Sequence, residues 1–295
     1  MISHIFQGEF QFFGLFDSLE LGLYMVIIGY YFLIFSYFLI MRFRINKKPF
    51  WFYFSILFVA LASSRLFFLI SDFYIPELGG VGGLPDEEIV RLLMLYYRLA
   101  TFSTWMGTTC LMGVLGILLF PPDSKLEKKK KPKISENKFK NFLNGHKKEV
   151  KYGLRTVLMV VPILLGILVF FLPDSTLIDP DIIVSYPSSS ITPELIWIGN
   201  WSYPVWRFIF NFIFQPLLVA IVPFIFLYLA LKTFGVLRRS YLINGIGFLI
   251  YYVGRIAKGA FDVLGYPHVG AIVPPLLILL SLLLIVIANS FEALK

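Results

Sequence analysis

Cysteine is almost absent from this chain. Cys110 stands alone, so no disulfide can form within it. Histidine is nearly as scarce: His4, His146 and His268 lie far apart, and no spacing among them and Cys110 suits a structural zinc site. Residues 1–20 contain no Lys or Arg, so the basic start of a cleavable signal peptide is missing. Charge is short overall. Asp, Glu, Lys and Arg make up 15% of the 295 residues, against about 25% in a soluble domain.

In its place stands apolar and aromatic bulk: 58% hydrophobic residues, 32 Phe and 16 Tyr, with a mean hydropathy of +0.79. Seven apolar segments are readable, near 21–41, 50–72, 88–120, 152–173, 203–232, 240–263 and 269–291. Each reaches the ~20 residues needed to span a bilayer. The expected fold is therefore all-α: a polytopic integral membrane protein, a bundle of seven transmembrane helices. Its parts are an N-terminal segment 1–20, spans one to three within 21–120, a basic loop 121–151, span four at 152–173, a loop 174–202, and spans five to seven within 203–295. Ile2, Phe6, Phe10 and Phe13 recur at near-helical spacing and suggest a short interfacial helix ahead of span one.

Cations sort the loops. Four of the 26 Lys and Arg lie in 42–48, twelve in 121–155, three in 232–239, and Lys295 ends the chain. The connections 75–87, 174–202 and 264–268 hold none. By the positive-inside rule the N-terminus is extracytoplasmic and the C-terminus cytosolic. The Lys-rich loop 121–151 then faces the cytosol, to lie on anionic lipid or to dock a cytosolic protein; nothing suggests nucleic acid. The loop 174–202 faces out and carries an Asn200-Trp201-Ser202 glycosylation sequon.

Six cations remain, all inside spans: Arg65, Arg91, Arg98, Arg207, Arg255 and Lys258. A cation at mid-membrane costs about 2.5–3.5 kcal/mol, so six facing lipid would cost on the order of 15 kcal/mol, comparable to a whole fold's stability. Arg91 and Arg207 fall nearer the interface, where they can reach lipid phosphates. The deeper ones must turn inward. Arg255, Lys258 and Asp262 follow i, i+3, i+7 and share one helix face, and Arg65 and Asp72 are likewise two turns apart. Asp72 and Asp262 are too few to neutralise the cations, so the surplus predicts an anionic ligand. Tyr97 and Tyr252 sit beside Arg98 and Arg255 and can offer ring or hydroxyl to the same cavity.

Two stretches echo each other. "SRLFFLISDF" (64–73) and "GRIAKGAFDV" (254–263) share a small residue, Arg, and Asp seven later, at an offset of 190. Two parallel three-helix repeats flanking span four would put a ligand site at their interface near the midplane.

Other motifs fall away. Seven spans with an outside N-terminus are similar to rhodopsins and G-protein-coupled receptors in topology only. A retinal protein needs a lysine in its last span, and 269–291 has none. "GGVGG" at 79–83 follows no strand, so it is no dinucleotide loop. Pro216, Pro223, Pro274 and Pro275 predict kinks. No nucleophile with a base and no metal set is readable, so no catalytic residue, metal or cofactor is expected. The leading expectation is a sensor or receptor of the cell (plasma) membrane that binds a small anion or lipid head group in an outward-facing polar cavity. The expected ligand-binding residues are Arg65, Asp72, Tyr97, Arg98, Tyr252, Arg255, Lys258 and Asp262. The alternatives are a secondary carrier for an anion or proton-coupled solute, and a membrane-embedded lipid-modifying enzyme.

Overall fold

The computed structural model describes residues 14–79, 83–119, 147–198, 201–264 and 266–290. The interfacial helix expected before span one, most of the basic loop, the Asn200 sequon and the side chain of Asp262 lie outside the described residues.

The chain is helical nearly throughout. Helix α1 (Leu15–Ser36) runs on through a π segment, Tyr37–Phe43, into a last turn at Arg44–Asn46. Lys47, in the left-handed conformation (φ 51°), stops it. Pro49 then starts α2 (Pro49–Leu69), where a missing N–H costs nothing. A second π segment, Ile70–Tyr74, follows. Next come α3 (Asp86–Leu119), α4 (Lys147–Phe171) and the short α5 (Pro180–Ser185). Strands β1 (Leu195–Ile198) and β2 (Trp201–Pro204) pair antiparallel. They lead into α6 (Val205–Phe208), a third π segment (Ile209–Phe214) and α7 (Gln215–Lys232). Helices α8 (Gly235–Val263) and α9 (Pro267–Ser290) complete the bundle.

Among the described residues, six helical stretches are long and apolar enough to cross a membrane: Leu15–Asn46, Pro49–Gly79, Asp86–Leu119, Lys151–Phe171, Val205–Lys232 and His268–Ser290. They mark a membrane-embedded, all-α protein. The expected count of seven is not reached. Helix α8 is long enough, yet Arg238, Arg239, Asn244, Arg255 and Lys258 thin out its apolar content. The hairpin also departs from the expected plain loop. Leu195-Ile196-Trp197-Ile198 is a strand-forming run, and the following Gly199-Asn200 is a two-residue turn signal inside a Pro/Ser-rich stretch.

Helix α3 is the axis of the bundle, buried along most of its length. Glycines bring its neighbours close: a Cβ on Gly107 would meet Leu61 at 3.4 Å, and one on Gly166 would meet Trp105 at 2.9 Å. Two apolar clusters form the core. One gathers Phe38, Phe54, Phe58, Met112, Phe226, Phe248 and Leu282. The other gathers Ile89, Val90, Leu93, Trp105, Leu177, Ile178 and Phe210 beneath the hairpin. The two ends of the bundle differ in charge. Arg42, Arg44, Lys47, Lys48, Arg155, Lys232, Arg238 and Arg239 lie at one end, whereas the described connections at the hairpin end contain no Lys or Arg.

Candidate functional site

Between the two clusters, toward the hairpin end, lies a cavity of about 340 Å³. Three polar stripes line it. From α2 and its π segment come Ser64, Arg65, Ser71 and Asp72. Helix α8 supplies Tyr251, Arg255 and Lys258. Arg207, Asn211 and Gln215, spaced at i, i+4 and i+8, come from α6, its π segment and the start of α7. Tyr24 of α1, Tyr97 of α3, Tyr203 of β2 and Asp179 complete the polar wall. Two of the three π segments contribute here: Asp72 and Asn211 both sit in one. Such bulges are frequent at functional sites because they redirect side chains out of the regular helical pattern.

The four cations are held in different ways. Arg207 is fixed from two sides: Asp179 Oδ2 lies 2.9 Å from its Nη1, and the Tyr97 and Tyr203 rings lie 5.0 and 5.7 Å from its guanidinium. Lys258 forms an ion pair with Glu20, a buried acid on α1, and its ammonium stands 5.6 Å from the Tyr24 ring. Arg65 stands 4.6 Å from the same ring. With its amide turned oxygen-first, Gln215 accepts from both terminal nitrogens of Arg255, at 2.8 and 3.2 Å. Among the described residues, neither Arg65 nor Arg255 has a carboxylate within ion-pair distance. Below them the Tyr31 hydroxyl donates to Tyr251 at 3.3 Å.

Among the described residues, two further groups, a carboxylate and a phenol, lack partners. Asp72 makes no ion pair or hydrogen bond among the described residues, yet it lines the cavity, exposed to it, amid the fields of Lys258, Arg207 and Arg65. The Tyr24 hydroxyl is buried without a hydrogen-bond partner, an uncommon condition for a buried polar atom.

The structure brings Arg65, Asp72, Tyr97, Arg255 and Lys258 into one cavity. It places Arg98 elsewhere. Arg98 donates to the Val169 and Leu172 carbonyls, both at 2.6 Å, and pairs with Asp174 at 2.5 Å. It therefore closes the C-terminal end of α4, where unpaired carbonyls draw a cation. Tyr252 is not in the lining; its neighbour Tyr251 is. Arg91 is exposed at the start of α3. Arg207, which sequence alone placed near the interface, is instead a wall residue of the cavity.

The charge surplus is smaller than expected. Arg65, Arg207, Arg255 and Lys258 face Asp72, Asp179 and Glu20, so among the described side chains one positive charge remains uncompensated in the site. Sequence reasoning missed Glu20 and Asp179, whose partners are far away along the chain. It also passed over the Arg207–Asn211–Gln215 stripe, which was visible as polar residues at helical spacing in an apolar run. Among the described residues, no group of His, Cys, Asp and Glu is placed to hold a metal ion. No protein-family model, curated protein or solved structure matches this chain.

Proposed function

We propose that this protein binds a monoanionic group, of the phosphodiester type found in lipid head groups, in the cavity at the hairpin end. The observation that carries the reading is the pair Arg65 and Arg255. Both arginines line a polar cavity inside an apolar bundle and, among the described residues, have no carboxylate partner. A buried guanidinium stays charged and is costly to leave unpaired. A phosphodiester supplies one negative charge, matching the single surplus, and accepts forked N–H donors.

A lipid source is favoured by the wall itself. The π segment 209–214 makes at most sparse backbone contact with α8, although α7, its continuation, packs along α8. Phe212 (43% exposed) and Ile256 (41% exposed) line the cavity there and also face outward. A head group entering between them would leave its acyl chains in the bilayer. In the membrane we place α8 as the sixth of seven spans, its polar face turned to the cavity. The basic end faces the cytosol and the hairpin faces the extracytoplasmic side, as the positive-inside rule requires. The cell membrane is the proposed setting.

Reception alone, with transmission through the basic loop, fits this geometry. Carriage fits less well, because beyond Arg255 and Tyr251 the cavity space narrows to about 30 Å³ among Phe58, Phe248 and Leu282. Asp72 and Tyr24 favour a second reading, chemistry on the bound lipid. A free carboxylate and an unpartnered phenol beside clustered cations are the parts of an acid–base pair.

Native mass spectrometry of the purified protein tests the proposal. Retention of an anionic phospholipid by wild type, and its loss in both Arg65→Ala and Arg255→Ala, is the expected result. Equal retention by all three proteins would end the reading.

A further inference from the structure

The central cavity has a neighbour. A second cavity of about 270 Å³ lies at the start of α1, bounded by Phe16, Asp17, Glu20, Lys258 and His268. The two cavities share one lining residue, Lys258. The side chains around it form a line. Glu20 faces the second cavity and Tyr24, one turn further along α1, faces the central one. Lys258 is held between them, ion-paired to Glu20 and set over the Tyr24 ring. Arg65 lies against that same ring from within the central cavity.

The two halves of the ion pair are not equally fixed. The Glu20 side chain is 10% exposed, whereas that of Lys258 is 37% exposed. A lysine stem has four rotatable carbons and its ammonium three donors, so a movable side chain stands in the wall between the cavities. The rim is tied at two points. Asp17 is turned back to the Gly14 N–H at 2.7 Å, and His268 is stacked on Phe16 with ring centres 4.1 Å apart.

The geometry points to the second cavity as a water-side entrance for phosphate-class anions, with the Glu20–Lys258 ion pair as its gate. This rests on the anion reading of the central cavity. With the ammonium on Glu20 the passage is shut. Moving toward Arg65, the ammonium would meet a like charge, which opposes the motion unless an anion travels between them. Opening is thereby tied to delivery: the anion leaves Glu20's lysine only when Arg65 has taken hold of it.

Cysteine accessibility tests the gate. Ser71→Cys, in a Cys110→Ser background, puts one thiol in the central cavity of the full-length protein in nanodiscs. Its rate of reaction is measured with an anionic thiosulfonate and with a neutral one of similar size. Glu20→Gln unlatches the lysine and is expected to speed both reagents about tenfold, the scale of one charge-assisted contact. Lys258→Gln is expected to lower the anionic-to-neutral rate ratio by a similar factor. Glu20→Asp, which keeps the charge, is expected to stay near the parent rate. Unchanged rates in Glu20→Gln, in protein that remains monodisperse, overturn the gate. Protection by inorganic phosphate identifies a free anion as the cargo, and protection by anionic over zwitterionic nanodisc lipid identifies a head group. If neither protects while Glu20→Gln still accelerates labelling, the anion reading fails, and with it delivery, leaving only a passage.

Discussion

Arg98 and Asp174 meet at 2.5 Å beside the last carbonyls of α4, so one of the arginines that the sequence sets deep in a span is a helix cap. Two arginines thus satisfy the same rule, that buried guanidinium must not be left to lipid, in opposite ways. Arg98 finds three acceptors within the chain. Arg65 finds an aromatic ring and, among the described residues, no acceptor.

Arg98→Ala should therefore act on stability. It strands the Val169 and Leu172 carbonyls, at about 1–3 kcal/mol for groups left unsatisfied. The ion pair itself adds less, because the Asp174 side chain is 40% exposed and solvent weakens it. The unfolding midpoint in detergent is expected to fall while lipid retention per folded molecule stays at the wild-type level. A variant with full stability and no retained lipid would move Arg98 into the site.

Arg65→Ala and Arg255→Ala should do the reverse. Neither removes an ion pair of the described structure, and each removes one of two like charges that feel one another. The unfolding midpoint should stay the same or rise. Affinity for an anionic phospholipid should fall about tenfold or more for each, the scale of a charge-assisted contact in a shielded site. Arg65→Lys should recover only part of it, since an ammonium lacks the planar fork. Titration into nanodiscs of graded anionic content measures both.

Gln215 offers a subtler check. Its oxygen accepts from Arg255 and, being neutral, adds no charge to offset that arginine. Gln215→Glu places a carboxylate where the amide stands. The new acid should pair with Arg255, cancel the surplus charge and compete with the ligand. Binding should weaken at neutral pH and recover as the pH falls far enough to protonate the introduced carboxylate. Gln215→Leu should weaken binding less, because it removes a positioning contact and adds no charge.

The close seam between α8 and α9 can be tested by adding a methyl group. A Cβ on Gly254 would lie 3.0 Å from Leu277 Cβ and 3.2 Å from the Pro274 carbonyl oxygen. On Gly247 it would lie 3.0 Å from Ile285 Cγ1 and 3.3 Å from the Ser281 carbonyl. Backbone cannot yield cheaply, so Gly254→Ala and Gly247→Ala should each destabilise by about 1–3 kcal/mol. Gly22→Ala, where nothing lies within 4 Å, should leave the unfolding midpoint unchanged or raise it slightly in the same detergent assay.

The helical spans were legible because hydrocarbon demands long apolar runs, and Arg65, Asp72, Arg255 and Lys258 stood out against those runs. Pairings across the bundle were not. Lys258 forms its ion pair with Glu20, which lies 238 residues away along the chain. Depth along a span did not reveal that Arg98 would meet the end of α4, because that depends on where a neighbouring helix stops. Hydropathy also hides the π segments, since their residues are as apolar as the helix around them. Yet one such segment turns Asp72 into the cavity. Helix α8 shows the converse: Arg255 and Lys258, which line the cavity, lower the apolar content of a helix that is long enough to cross a membrane.

The Arg207–Asp179 pair is the remaining hinge between site and surface. Asp179 precedes α5 in the loop between α4 and the hairpin, and Arg207 belongs to α6, so their 2.9 Å contact fastens that loop over the cavity. Leu177 and Ile182, on either side of Asp179, also line the cavity. Both charged side chains are less than a third exposed, so the contact is better shielded than a surface pair. Asp179→Asn frees Arg207, which keeps the Tyr97 and Tyr203 rings and becomes a further unpaired cation facing the site. Two effects should follow together: faster proteolysis within 174–204, and tighter binding of anionic lipid through the added charge. Arg207→Gln should share the first effect and show the opposite of the second. A double variant that matches Arg207→Gln in binding would show that Asp179 acts only through Arg207. Unchanged proteolysis in Asp179→Asn would mean that the loop is held by its apolar contacts and the ion pair is incidental.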